Sequence, residues 1–240
     1  MTAALAAALA LGLVACGSGD GDGDGRAAEP HYRSACHADG DREVVIPGPD
    51  GQSTFAVTVG SGPRAVLLLH EAESDHCAWI DFARLVAGRG VQAWAIDSSS
   101  TPNSRSVGGS DPRPDLVRTA EYVRAHGARE VVLAGASMGG ATALSVAGQV
   151  GAARVAALSA PDIWQGVDGV GGAKALTVPG LVLVGVADTD FTGPAQAMKA
   201  ANPAHVTLVE VPTGGHGTSM LHYELDGRKV SEILAEFLLA

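Results

Sequence analysis

The stretch Glu130-Val131-Val132-Leu133-Ala134-Gly135-Ala136-Ser137-Met138-Gly139-Gly140 decides how this chain folds. After Glu130, the run Val131-Val132-Leu133-Ala134 is apolar, with two β-branched residues, and predicts a buried strand. Residues 141–150, rich in alanine with Leu144 and Val146, predict a helix. A sharp turn between the two places Ser137 at its apex. The pattern Gly135-x-Ser137-x-Gly139 is that of a nucleophile elbow, in which glycines let the backbone turn tightly and leave the serine hydroxyl exposed above the sheet. The Met138 N–H, at the helix start, would then face a developing oxyanion. The plainer reading is an ordinary strand-to-helix turn with a solvent-facing serine. The strand before and the helix after favour the catalytic one.

Hydrophobic residues make up 46% of the 240-residue chain, enough for one well-buried core and too little length for two roomy domains. A net charge of −10 with no basic cluster argues against nucleic acid as a partner.

Residues 1–15 carry no charge and are nearly all Ala, Leu and Val. The run is short of the roughly 20 residues a bilayer span needs and fits the apolar core of a signal peptide. It ends in Leu13-Val14-Ala15-Cys16, which resembles the lipobox of bacterial lipoproteins, although no Lys or Arg follows Met1. That resemblance implies cleavage before Cys16, a diacylglyceryl group on its thiol, and an extracytoplasmic protein anchored to the cell membrane. Residues 16–28, dominated by Gly and Asp, read as a disordered tether, and residues 29–240 as the folded domain. With Cys16 lipidated, Cys36 and Cys77 remain as an even pair in an oxidising compartment. A Cys36–Cys77 disulfide is therefore expected in preference to two unrelated buried thiols, tying the N-terminal arm to the loop after the third strand.

Residues 43–47 and 54–60 flank Gly48-Pro49-Asp50-Gly51 and predict an antiparallel hairpin. Further strands are expected at 65–70, 91–96, 130–134, 154–159, 180–186 and 205–211. Helices are expected at 80–89, 115–126, 141–150, 194–201 and 225–239. From residue 65 strands alternate with helices, which predicts a mostly parallel α/β sheet with helices on both faces. Ligands in such sheets sit at the carboxyl ends of the strands, where His70, Asp97, Ser137, Asp188 and His216 all fall.

A serine hydroxyl needs a base within hydrogen-bond reach, and that base needs a partner to hold its tautomer. Asp188 follows the strand Leu181-Val182-Leu183-Val184-Gly185. His216 lies in Thr213-Gly214-Gly215-His216-Gly217, just after the last strand. Asp190 competes with Asp188, which sits nearer the strand end. His222 competes with His216 but lacks the glycine-flanked loop. The other histidines, His31, His37, His76, His126 and His205, show no metal-ligand spacing, and no metal or organic cofactor is expected. Trp79, Trp94 and Trp164 read as core or pocket wall, with Trp164 placed to contact substrate.

On these residues the chain resembles the α/β-hydrolase superfamily of serine esterases and lipases over residues 43–240. The resemblance implies an eight-stranded, mostly parallel sheet with Ser137 as nucleophile, Asp188 as acid, His216 as base and the Met138 N–H as one oxyanion donor. Most relatives read His-Gly after the third strand, where this chain reads His70-Glu71-Ala72-Glu73. The second donor is thus Glu71 or Ala72, with Ala72 preferred. The His-Glu pair is similar to the dienelactone-hydrolase branch, and an ionised Glu71 should point away from the oxyanion or be paired. The Asp-x-x-Gly segment of the family is also altered, to Asp97-Ser98-Ser99-Ser100. Residues 160–178 are too few for a large cap domain, so an open site is expected. The implied activity is hydrolysis of a small ester through an acyl-enzyme. Amide, thioester or lactone cleavage by the same triad, and a silent ligand-binding lipoprotein, are the alternatives.

Overall fold

Continuous apolar strands, whose successive side chains point to opposite faces, sort this molecule into two apolar layers on either side of one sheet. The computed structural model describes residues 36–99, 101, 104 and 111–240. The expected signal peptide (1–15), the tether (16–28) with Cys16, and much of the 98–114 loop lie outside the described residues.

Among the described residues, eight strands make the main sheet: β1 (Arg42–Pro47), β2 (Ser53–Gly60), β3 (Arg64–Leu69), β4 (Gln92–Ile96), β5 (Glu130–Ala136), β6 (Val155–Leu158), β7 (Gly180–Gly185) and β8 (Val206–Val211). They lie in the order β1-β2-β4-β3-β5-β6-β7-β8. Only β2 runs antiparallel to its neighbours, and every other adjacent pair is parallel. Six helices accompany them: α1 (Ile80–Ala87), α2 (Arg113–Ala125), α3 (Met138–Val146), α4 (Gly169–Lys174), α5 (Thr189–Ala201) and α6 (Val230–Leu239).

Side chains alternate across a strand, so neighbouring residues feed opposite layers. Leu67, Leu133 and Val182 pack with Leu116, Leu144 and Met198 of α2, α3 and α5. Leu68, Val132 and Leu183 pack with Phe82, Val86 and Leu234 of α1 and α6. Burial on both faces explains why these strands read as continuous apolar runs.

The sequence reading differs from the structure mainly at helix starts. Helix α2 begins at Arg113, because Pro114 lies in the first turn where its missing N–H is no loss. Helix α5 begins at Thr189, with Pro194 inside it. Helix α6 begins only at Val230, because Asp226 (φ 51°) and Gly227 (φ 75°) close a small hairpin pairing Glu224–Leu225 with Arg228–Lys229. The span 160–178 carries a second small hairpin, Ile163–Trp164 against Val167–Asp168, and the six-residue α4, with no cap domain. A disulfide joins Cys36 to Cys77 with Cα atoms 5.7 Å apart.

Candidate active site

Strand β5 stops at Ala136 and α3 starts at Met138, leaving Ser137 alone at the turn with φ 49° and ψ −116°. A left-handed backbone at a residue with a side chain costs about 1–3 kcal/mol and persists only where its surroundings enforce it. Here the Ser137 N–H donates to the Leu158 carbonyl at the end of β6 (2.7 Å). The Ser137 carbonyl accepts from the Gly140 and Ala141 N–H groups. The flanking glycines allow close backbone approach. A Cβ on Gly135 would collide with the Gly139 carbonyl, and one on Gly139 would collide with the carbonyls of Leu69 and His70. The N-terminus of α3 is thereby pressed against the end of β3. The Met138 N–H, at the first helical position, has no intrahelical acceptor.

His216 lies on the loop after β8. Its Nδ1 stands 2.9 Å from Asp188 Oδ2, at the end of β7. A carboxylate can only accept, so Nδ1 carries the hydrogen and Nε2 presents a lone pair. Asp190 and His222, the competing acid and base, are both exposed to solvent. Gly217, at φ 56°, approaches β5 so closely that a Cβ there would lie 3.4 Å from Ala136 Cβ. The loop carrying His216 is thus packed beside the residue preceding the serine. Among the described residues no hydrogen bond joins Ser137 to His216. Such pairs are often long in ligand-free sites.

The loop after β3 completes the rim. His70 is fully buried, and its Nε2 accepts from the Ser98 N–H at 3.0 Å. Nδ1 therefore carries the hydrogen and donates to the Glu71 carbonyl at 2.6 Å. In a trans peptide N–H and C=O point in opposite directions, so the Ala72 N–H is aimed away from His70. The Glu71 carboxylate is paired, its Oε1 accepting from Thr218 Oγ1 at 2.7 Å. Its Oε2 is buried and has no hydrogen-bond partner among the described residues.

Three side chains the sequence reading did not single out belong to this rim. Ser159, buried at the end of β6 with φ 47°, accepts the Gly217 N–H on Oγ at 3.1 Å and steadies the loop of His216. The ring of Phe191 lies 4.3 Å from the His216 imidazole. Thr218 holds Glu71. The signal for Ser159 was its place at a carboxyl strand end. The signal for Phe191 was its spacing, one helical turn past Asp188. Trp79 and Trp94 are core residues, whereas Trp164 is half-buried in the hairpin after β6. Among the described residues, the one cluster with metal-ligand chemistry, Cys36, His76 and Cys77, includes none of Ser137, Asp188 and His216.

No protein-family model matches this chain, and no curated protein does. Solved structures do match its fold. An esterase of Pyrococcus furiosus aligns with TM-score 0.67 at 16% identity, over 83% of this chain and 90% of its own. An esterase from Exiguobacterium antarcticum aligns at 0.64 and 14%, over 83% of this chain and 100% of its own. A dienelactone hydrolase from Anabaena variabilis aligns at 0.64 and 16%, over 83% and 98%. The chain has the α/β-hydrolase fold.

Proposed function

We propose that this protein is a serine hydrolase of carboxylic esters. The observation that carries the reading is the His216–Asp188 pair on a loop packed beside the strained turn of Ser137. In the reaction Ser137 Oγ bonds to the ester carbonyl carbon as its proton passes to His216 Nε2. The carbonyl oxygen becomes an oxyanion facing the N–H groups of Met138 and Ala72, donors of a kind that contribute about 3 to 4 kcal/mol each. Collapse breaks the carbon–alkoxy bond, and the leaving alcohol takes the proton from His216. Water then repeats the sequence on the acyl-enzyme. Asp188 keeps the imidazole in the required tautomer throughout. The fold neighbours described as esterases support this class, and the short 160–178 connection supports an accessible site.

Short- and long-chain nitrophenyl esters, presented to the wild type and to Ser137→Ala, provide the test. The expected loss in kcat is about a millionfold. Equal rates for the two proteins would defeat the assignment and leave the ligand-binding alternative. Glu71, with its buried carboxylate beside the His216 loop, gives reason to include lactones in the panel, and thioesters and amides complete it.

We further propose that Cys16 anchors the protein to the outer side of the cell membrane, a setting in which a disulfide such as Cys36–Cys77 persists. Metabolic labelling with a fatty-acid probe should mark the wild type and not Cys16→Ala. Equal labelling, or none, would refute the anchor.

A further inference from the structure

Two dipeptides far apart in the chain, Cys36-His37 and His76-Cys77, meet beside the end of β4. His76 is fully buried. Its Nδ1 lies 3.0 Å from Asp97 Oδ1, which also accepts the His76 backbone N–H at 2.7 Å. His37 Nδ1 lies 3.1 Å from Glu43 Oε1. Carboxylates accept and do not donate, so each Nδ1 carries a hydrogen and each Nε2 presents a lone pair. Yet the two Nε2 atoms face each other at 2.8 Å. That contact is a hydrogen bond over a shared proton, closer than the roughly 3.3 Å at which two imidazole nitrogens sit on one tetrahedral zinc, so the two rings must part to admit a metal. Imidazoles whose outer nitrogen donates to a carboxylate while the inner one points at a common centre are the usual arrangement of metal ligands.

Sulfur stands next to that centre. Cys77 Sγ is 3.6 Å from His76 Nε2. Zinc bond lengths set a tetrahedral sulfur–nitrogen separation of about 3.5 Å. The donor atoms of Cys36, His76 and Cys77 all lie within 4.8 Å of one another. We assign His37 Nε2, in contact with His76 Nε2 at 2.8 Å, as the fourth ligand, brought to the metal by rotation of its side chain. A cleft of about 500 Å³, lined by Cys77, Asp81 and Phe82, brings solvent to the disulfide.

We propose that Cys36, His37, His76 and Cys77 form a latent tetrahedral site for zinc, closed while the disulfide is intact and opened by a dithiol reductant. The dithiol supplies two electrons and two protons. Its own sulfurs join as the Cys36–Cys77 bond breaks into two thiols. Zinc then displaces both thiol protons, together with the proton held between the imidazoles. Bound metal would replace the disulfide as the clamp between the 36–41 arm and the start of α1. No spacing in the linear chain announces this site, because each half supplies only two adjacent ligands.

The test uses the folded protein in three states: oxidised, reduced with a dithiol and desalted, and reduced, desalted, then given Zn²⁺. Retained zinc is counted after gel filtration, and Co²⁺ substitution reads the geometry by its visible absorption. The reduced protein should keep one equivalent of zinc and show the intense bands of tetrahedral thiolate-bound cobalt, while the oxidised protein keeps none. Glu43→Gln, which leaves all four ligands in place, should weaken zinc binding about tenfold. Equal retention by oxidised and reduced protein would overturn the proposal. So would a reduced protein that loses its near-ultraviolet circular dichroism and does not regain it with zinc. Recovery of that signal on adding zinc would support it.

Discussion

At Ser137 the backbone is held in a conformation few serines adopt, and the hydroxyl is presented at the rim as a result. The enforcing contacts are the Leu158 carbonyl and the close approach of Gly139 to the end of β3. His216 is placed less rigidly, by its pair with Asp188 and by the Gly217 N–H bond to Ser159 Oγ. Ser159→Ala removes that second restraint without touching the reacting groups. Losing one buried hydrogen bond should lower kcat about fivefold with KM unchanged, read from ester hydrolysis of the folded protein, and should lower the stability read from the urea midpoint by about 1 kcal/mol. An unaltered kcat would show that Asp188 alone steadies the imidazole. Ser137, Asp188 and His216 could be picked out of the chain because each follows a strand and two sit among glycines. Ser159 could not, since its role is a contact with a residue 58 positions away.

The strands and most helices were legible because their apolar residues repeat with the periods that burial demands. The element boundaries that escaped the reading depend on local turn chemistry. Asp226-Gly227 builds a hairpin where an uninterrupted helix was expected, and Pro194 sits within α5 instead of beginning it. Helix α1 shows how an element is tied to its surroundings. Arg84 donates to the Cys36 carbonyl at 2.7 Å and to Asp41 Oδ2 at 2.5 Å, pinning the N-terminal arm against the helix. Burial pushes the Asp41 carboxyl up, but hydrogen bonds from Arg84 and from the Ala38 N–H, with the Arg84 charge, outweigh it. They hold the group below its ordinary value. A depressed carboxyl stabilises the fold above its unfolded pKa of about 4, and that stabilisation is lost as pH falls through the folded-state value. Asp41→Asn should therefore cost up to about 1 kcal/mol near neutral pH, as Arg84 is partly exposed. Urea midpoints of mutant and wild type should converge as the pH drops below about 4. A gap independent of pH would mean that the carboxylate charge plays no part.

For the molecule as a whole, one sheet carries Ser137, Asp188 and His216 just past the carboxyl ends of β5, β7 and β8. The disulfide closes a loop of sequence separation 41 around β1 to β3. Constraining the unfolded chain to that extent is worth about 4 kcal/mol by loop entropy. Replacing both Cys36 and Cys77 by alanine should remove about that much unfolding free energy, measured by urea denaturation, while ester hydrolysis of the folded fraction persists. A loss far smaller would show that Arg84 and Asp41 suffice to hold the arm. Hydrophobic periodicity and glycine placement, both properties of neighbouring residues, determined from sequence alone that this would be an α/β sheet with a serine at a sharp turn. They also led to an acid and a base at strand ends. Only the tertiary structure paired His216 with Asp188, turned the Ala72 N–H away from His70, paired Glu71 with Thr218, and brought Cys36-His37 against His76-Cys77. Those are contacts between segments remote in the chain, and their geometry depends on how the strands are ordered in the sheet and how the loops pack at its edge.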